Sequence, residues 1–491
     1  MEKSITECCA SYTPQIFLHQ TDEALNPAMA DANSSPHVVV VSSPGVGHIT
    51  PFAELTKLLV LRYHFTATII TFSDLPFSLP SSISAIQLPV LELPADTDIG
   101  DRISLTMANS VSPLRQILIS LQRTTRIAAV IFDLFGVDHF SMVKELHIPT
   151  YLFITSNLFF LSFKLHLPTL DETTVGEFRD LPEPLKLPGC VPLKGVDFLS
   201  PLQKRESETF AFVVHGARKY DNVEGILVNS FEALEAGAAK FLKQRGGGKP
   251  PVWPIGPLTA SDSDMWYEDQ SHDCIEWLNQ QPSGSVIFIC FGSGGTLSWE
   301  QTRELALGLE MSGQRFLWVV RAACDTGLSG SFFNPNQSRD DPLEFLTGRF
   351  VENTKERGMM VMSWAPQRRV LGHNATGGFV SHCGWNSVLE SLVNGVPMVA
   401  WPLYAEQKMN AVLLEEGAKV ALRVKAGENG LVRREEVAKV VKELMEGEKG
   451  KQVRRGMQEM KKEAVRAVGK EGSSYKSLEE VVSILKDIAA V

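Results

Sequence analysis

Short apolar runs alternate with helix-period segments along this chain, and the alternation starts twice. The first run, His37 to Ser42 (HVVVVS), is a string of valines bounded by turn residues, as in a strand buried on both faces. A Pro/Gly turn, SPGVGH, follows, and Ile49 to Arg62 then has helical spacing. Further strands are expected at 66–72 (TATIITF), 128–135 (AAVIFDLF), within 150–160 and at 225–230 (GILVNS), with helices at Val111 to Thr125 and 208–222. Pro, Ser and Asp then cluster from Pro250 to Asp269, which reads as an interdomain linker. Beyond it the pattern restarts with a strand and glycine-rich loop at 285–295 (SVIFICFGSGG) and a helix at 299–312. Strands follow at 315–321, 358–364, 377–384 and 397–402, with a helix at 386–394 and helices through most of 405–490. The Gly/Ser/Asn/Asp-rich stretch 322–346 reads as a long surface loop. Alternation of this kind builds a parallel sheet with helices on both faces. Such sheets bind ligands beyond the carboxyl ends of their strands. Two of them in one chain predict an α/β protein with a cleft between its halves.

Length agrees, because single cores stop growing at about 250–300 residues and this chain has 491. The expected division is a disordered extension over 1–35, a first domain over 36–252, a linker over 253–270 and a second domain over 271–470. A C-terminal helix over 471–491 is expected to pack back on the first domain. Residues 1–28, ahead of a second methionine at Met29, read as a disordered tail or the product of an upstream start codon. The net charge of -10 without a long basic block argues against nucleic-acid binding. Seven scattered cysteines with no C-x-x-C pair indicate neither a disulfide framework nor a zinc ribbon, and fit a reducing compartment. No apolar run reaches the roughly 18 residues of a membrane span, and the N-terminus lacks a signal-peptide pattern. A cytoplasmic location is therefore expected.

The densest chemical signal runs from Trp364 to Gln407, WAPQRRVLGHNATGGFVSHCGWNSVLESLVNGVPMVAWPLYAEQ. Trp364 follows a strand and can offer its indole face to a base, a stacking contact of about 1–3 kcal/mol. SHCGWNS joins a strand to a helix, whose first N–H groups favour an anion. His382, Asn386 and Ser387 add side-chain donors there, so a diphosphate fits. Glu390, one turn along, can accept from ribose hydroxyls, and Glu406 and Gln407 follow the next strand, where they can read a sugar. Each of these residues also has an ordinary reading. Trp364 and Trp385 alone would be core aromatics, FGSGG alone is a common turn, and Cys383 reads as a packed thiol.

The whole segment resembles the plant secondary-product glycosyltransferase box of the family 1 UDP-glycosyltransferases, with the box's fixed residues in register across its whole length. The likeness extends from about Pro36 to Val491. LPGCVP (187–192), GILVNSF (225–231), FGSGGTL (291–297) and WPLYAEQKMNAV (401–412) are most similar to the group that glucosylates small phenols and monolignols. The resemblance implies the GT-B fold, two Rossmann-like domains facing across a cleft, with the donor held mainly by the second. It implies that Trp364 stacks on uracil, with Ala365 and Gln367 adding edge and ribose contacts. His382, Asn386 and Ser387, helped by Ser293, would hold the diphosphate. Glu390 would bind ribose, and Trp385, Glu406 and Gln407 would contact the sugar. Gln at the last box position goes with UDP-glucose in the family, whereas His there is associated with UDP-galactose. Two departures stand out: the long N-terminal segment, and Cys290 where a small polar residue is common.

The base is expected in the first half. His48 closes the turn after the first strand, and Asp133 ends the strand AAVIFD, both at carboxyl ends of strands. The family pair matching them is catalytic. Alone, His48 would be an ordinary surface or packing residue and Asp133 a cap. A hydroxyl is a weak nucleophile until a base takes its proton. Neutral imidazole suits that task near neutral pH, and a carboxylate on its other nitrogen fixes the tautomer and stabilises the imidazolium. In-line attack on C1 of glucose then implies inversion. Phe135, Phe153, Leu193 and Phe198 fall in segments that line the acceptor cleft in relatives, and each also fits a core. No metal and no cofactor are implied, and a monomer is the family default. Asp96-Thr97-Asp98 and Asp262-Ser263-Asp264 match the D-x-D pattern of metal-dependent transferases and read as chance. Three rival functions fit the residues less well. A UDP-sugar-binding protein without turnover is opposed by the presence of both His48 and Asp133. A dinucleotide oxidoreductase needs a third glycine where Thr50 stands. A glycoside hydrolase needs paired carboxylates, not a His–Asp pair.

Overall fold

The computed structural model describes residues 35–72, 75, 78–94, 97, 99–260, 272–321, 348–362 and 364–490. Residues 1–34 of the expected extension, the linker residues 261–270, the loop 322–346 and the aspartates Asp96, Asp98, Asp262 and Asp264 lie outside them. Two parallel sheets carry the fold. The first contains β1 (His37–Val41), β2 (Thr66–Thr71), β3 (Ile83–Gln87), β4 (Ile127–Asp133), β5 (Thr150–Ile154), β6 (Gly225–Val228) and β7 (Val252–Pro254), in the order β3-β2-β1-β4-β5-β6-β7. The second contains β8 (Val286–Cys290), β9 (Arg315–Val320), β10 (Gly358–Met362), β11 (Thr376–Ser381), β12 (Met398–Ala400) and β13 (Ala421–Arg423), in the order β10-β9-β8-β11-β12-β13. This is the GT-B arrangement of two Rossmann-like halves.

The strand order determines where a ligand can sit. From β1 the chain winds one way to β2 and β3, then returns to β4 on the other side of β1. The second sheet repeats this with β8 between β9 and β11. Each sheet thus has one switch point, and a crevice opens beyond the carboxyl ends of the two strands that flank it. His48 and Asp133 follow β1 and β4, while the FGSGG and HCGWNS turns follow β8 and β11.

Both sheets are covered by helices, and one cluster of buried apolar side chains includes Val41 and Phe132 of the first sheet together with Phe288 and Phe379 of the second. The last helix, Ser473–Ala490, buries Leu478, Val481, Val482 and Leu485 with Val38, Val40, Ile131 and Trp253 of the first sheet. Part of the Pro-rich stretch is strand rather than linker: β7 pairs with β6. Pro254 is tolerated because β7 is an edge strand. Two further strands, β3 and β13, fall where sequence periodicity indicates none. Among the described residues no helix is long and apolar enough to cross a membrane.

Candidate active site

After β1 the chain turns through Ser42 to Gly45. Gly45 has φ 114, a value that strains any residue with a Cβ, and the helix Val46–Tyr63 starts at once. His48 therefore lies in that helix's first turn. Its Nδ1 is 2.8 Å from Oδ2 of Asp133, the last residue of β4, with the His48 side chain 21% exposed and Asp133 fully buried. Asp133 is held in place by its neighbours. Oδ2 accepts from the Ser43 backbone N–H at 3.2 Å and from the Ser43 hydroxyl, and Oδ1 accepts from the Leu134 N–H at 2.5 Å. Burial opposes ionising the carboxyl, but His48, Ser43 and Leu134 outweigh it and hold its pKa below the usual carboxylate range. Burial likewise opposes charging His48, and the charges of Asp133 and Glu406 with the Asp133 hydrogen bond raise its pKa overall. All hydrogen bonds from His48 to described side chains run through Nδ1, Thr155 Oγ1 included at 3.4 Å. The opposite ring nitrogen, Nε2, is thus the one left to meet a substrate.

The helix carrying His48 contains Pro51. Proline has no N–H, so the carbonyl four residues back loses its helical partner. That carbonyl belongs to Gly47, and it accepts from Nδ2 of Asn386 in the second half at 2.8 Å. Gly47, next to His48, and the helix Trp385–Asn394 are therefore in contact across the crevice.

In the second half, β11 ends at Ser381 and the helix Trp385–Asn394 begins after Gly384. The tight turn between them takes Cys383 to φ 64. The His382 ring fits against two glycines: a Cβ on Gly292 would fall 2.5 Å from its Nε2, and one on Gly384 would fall 2.3 Å from the same atom. Burial lowers the pKa of His382 to about 4, so the ring is neutral at physiological pH. Its buried Nδ1 has no hydrogen-bond partner among the described residues. A neutral imidazole in that position can donate to a phosphate oxygen without carrying charge. Gln367 Nε2 donates to Ser387 Oγ at 2.9 Å and to Glu390 Oε2 at 2.7 Å, which collects three box residues at one end of the helix. Trp364 is half-buried just past β10, beside the buried Ala365. Ser293 is exposed on the glycine-rich loop. Gln407 is buried, its Oε1 accepting from the N–H groups of Leu403 at 2.9 Å and Tyr404 at 3.0 Å. Half-buried Glu406 follows Ala405, which is left-handed at φ 52, and its Oε1 lies 3.4 Å from Ser156 Oγ.

Three expected contacts need correction. Phe153, Leu193 and Phe198 are fully buried and line no cleft. Phe153 packs edge-on against Phe52 at 4.9 Å, on the sheet face that the last helix covers. Phe198 packs against Phe163 at 4.8 Å, and Leu193 exchanges backbone hydrogen bonds with Leu185. Apolar residues near a cleft fill the core first, and alternation along β5 turns Phe153 away. The Trp385 indole is also buried, with Nε1 donating to the Asn229 carbonyl at 2.7 Å, so this side chain joins the halves. Phe135 does reach the site, with its ring 5.7 Å edge-on from His48 and stacked on Phe212 at 6.2 Å. Two further residues shape the site: Ser43, and Arg321 at the end of β9, whose guanidinium holds the carbonyls of Gly292 (2.9 Å) and Ser293. Only their places at carboxyl ends of strands could have singled them out in the sequence.

Residues 257–463 match the UDP-glucoronosyl and UDP-glucosyl transferase family. The hydroquinone glucosyltransferase of Rauvolfia serpentina is 49% identical over 459 residues, covering 91% of this chain and 97% of that protein. UDP-glycosyltransferase 72B1 of Arabidopsis thaliana is 48% identical over 461 residues, covering 91% and 96%. The structure of Phytolacca americana UGT2 complexed with UDP-2fluoro-glucose and pterostilbene is similar with a TM-score of 0.83 and 47% identity, over 92% of this chain and 100% of that one. With likeness of this degree over both sheets and the crevice between them, the chain belongs to the UDP-glucoronosyl and UDP-glucosyl transferase family and is an enzyme of the UDP-glycosyltransferase class.

Proposed function

We propose that this enzyme transfers glucose from UDP-glucose to a hydroxyl of a small phenolic or phenylpropanoid acceptor, monolignols included, with inversion to the β-glucoside and without a metal. His48 is the general base: Nε2 takes the acceptor proton as the acceptor oxygen forms its bond to C1 of glucose. The bond from C1 to the diphosphate oxygen breaks, and its electron pair leaves with UDP. Asp133 holds the proton on Nδ1 and stabilises the imidazolium. His382, Asn386, Ser387 and the start of the helix Trp385–Asn394 receive the charge on the leaving diphosphate, helped by Ser293. Trp364, Ala365 and Gln367 hold the uridine, with Glu390 on the ribose and Glu406 and Gln407 on the sugar. Phe135 borders the acceptor. A cytoplasmic monomer completes the reading.

The observation that carries it is the contact from Asn386 to the Gly47 carbonyl at 2.8 Å, because it sets the phosphate-facing helix next to the residue that precedes the base. The relatives add support, since one is named for hydroquinone and another was solved with a fluorinated UDP-glucose and a stilbene. The test is mass spectrometry of the purified protein with UDP-glucose, with and without a chelator, against a panel of phenols and phenylpropanoid alcohols. A product heavier by one hexose, insensitive to the chelator and lost in His48→Ala while UDP still binds, is expected. UDP-glucose binding with no transfer to any acceptor would turn the reading to a sugar-nucleotide-binding protein.

A further inference from the structure

The segment that leaves β5 touches both sides of the crevice. Thr155 Oγ1 lies 3.4 Å from His48 Nδ1, and the next residue, Ser156, donates from Oγ to Glu406 Oε1 at 3.4 Å. Asn157 then caps the helix Leu158–Thr173, with Oδ1 accepting from the Phe160 N–H at 2.7 Å. Its other atom, Nδ2, donates to Oδ1 of Asn410 in the second half at 2.7 Å. Asn410 Nδ2 in turn donates to the Cys383 carbonyl at 2.9 Å and reaches Glu406 Oε1 at 3.4 Å. Asn157 is 1% exposed and Asn410 is fully buried.

Neither carboxamide can be turned over. The Phe160 N–H requires an oxygen from Asn157, and the Cys383 carbonyl requires an NH₂ from Asn410. The one remaining pairing is the bond between the two side chains, and it is well made. The capping turn is itself pinned from behind, because the buried Glu235 carboxylate accepts from Leu158 N–H at 3.0 Å, Phe159 N–H at 2.7 Å and the Ser230 hydroxyl. A rigid turn of the first half is thus bolted by a buried amide pair to the segment of the second half that carries Glu406.

We propose that Asn157 and Asn410, with Ser156, form a positioning bridge that sets the sugar-reading Glu406 in register with the base His48 across the crevice. The inference rests on the roles given above to His48 and Glu406. Transfer requires the acceptor oxygen at the base and C1 of the sugar to meet within about 3–3.5 Å, and a misplacement of about 1 Å lowers the rate about 100-fold. The bridge is one of two places where the halves meet beside that point, the other being the contact from Asn386 to the Gly47 carbonyl.

Asn157→Ser separates this role from helix capping, because serine caps well but is too short to reach Asn410. The expected result is a kcat lowered about 10- to 100-fold, with UDP affinity by titration calorimetry within twofold of wild type. Hydrolysis of UDP-glucose in the absence of acceptor should rise relative to transfer. A second readout needs no turnover. The ring resonance of His48, identified by its loss in His48→Ala, should move when UDP-glucose binds the wild-type protein and move by less in Asn157→Ser, where only the Asn386–Gly47 tie remains. An unchanged kcat in Asn157→Ser, or a His48 resonance that responds to the donor as fully in that variant as in the wild-type protein, would overturn the proposal. If the wild-type protein fails to transfer glucose, the proposed function fails, and the resonance measurement still decides whether the bridge connects the two sites.

Discussion

At the scale of single residues, His48 and Asp133 were legible because both end a β-strand or its turn on the side where doubly wound sheets bind ligands. Their partners were not legible. Ser43 acts by holding a carboxylate, Arg321 by holding backbone carbonyls and Asn157 by meeting another amide, and none of these tasks imposes a spacing along the chain. The coupling of the pair makes a pH prediction. The pKa of His48 is raised because Asp133 and Glu406 outweigh burial. As the proposed base, His48 cannot accept a proton once it is protonated, so activity should grow as pH rises through that pKa. The acid limb of kcat/KM should therefore lie above the ordinary imidazole value of about 6.5. Asp133→Asn removes the largest of the raising causes and leaves burial, which lowers the pKa. The acid limb should then shift to lower pH while the plateau falls about 10²–10⁴-fold. A pH-rate profile of both proteins checks this, and a limb that stays in place would show that Asp133 does not govern the charge of His48.

At the scale of elements, strong patterns translated directly into structure. The helix expected at 299–312 is found there, with Ser298 capping its start and Gly313 left-handed at its end. The missed strands were weak in sequence for physical reasons. β3 is an edge strand with mixed exposure, β13 has three residues, and β7 is an edge that carries proline. The turns after β8 and β11 were visible as glycine-rich, but the reason for two of those glycines was not. Gly292 and Gly384 are needed because the His382 ring occupies the space their side chains would fill. Gly292 also has φ 77, a conformation that adds about 1–2 kcal/mol of strain for a residue with a Cβ. Gly292→Ala should accordingly weaken UDP binding about tenfold or more, since about 1.4 kcal/mol corresponds to one decade. Titration calorimetry with UDP reads this directly, and circular dichroism checks that the fold persists. Unchanged affinity would mean that His382 can leave its place without consequence for the diphosphate.

At the scale of the whole molecule, the chain returns to where it began. The helix Glu448–Val468 packs within the second half, whereas the next one, Ser473–Ala490, crosses back and seals the outer face of the first sheet. Trp385 to Asn229, Asn386 to Gly47 and the Arg423–Asp197 ion pair at 2.6 Å add direct ties between the halves. Two sheets joined by a linker alone would unfold separately, whereas these ties predict one cooperative transition. Leu485 is fully buried in the returning helix, beside Val38, Ile131 and Trp253. Leu485→Ala should remove about 2–5 kcal/mol of stability. The unfolding entropy of a chain this long converts that to a midpoint lower by about 2–5 °C. The same helix touches the first sheet near its strands' amino ends, where Arg126, just before β4, donates to the Ile488 carbonyl at 2.9 Å. The crevice lies at the opposite ends of the strands, so UDP affinity in Leu485→Ala should match wild type. Calorimetric unfolding with and without UDP tests both statements. Two separate transitions in the wild-type protein would show that the halves are independent, and a lower midpoint accompanied by weaker UDP binding would show that the returning helix also shapes the crevice.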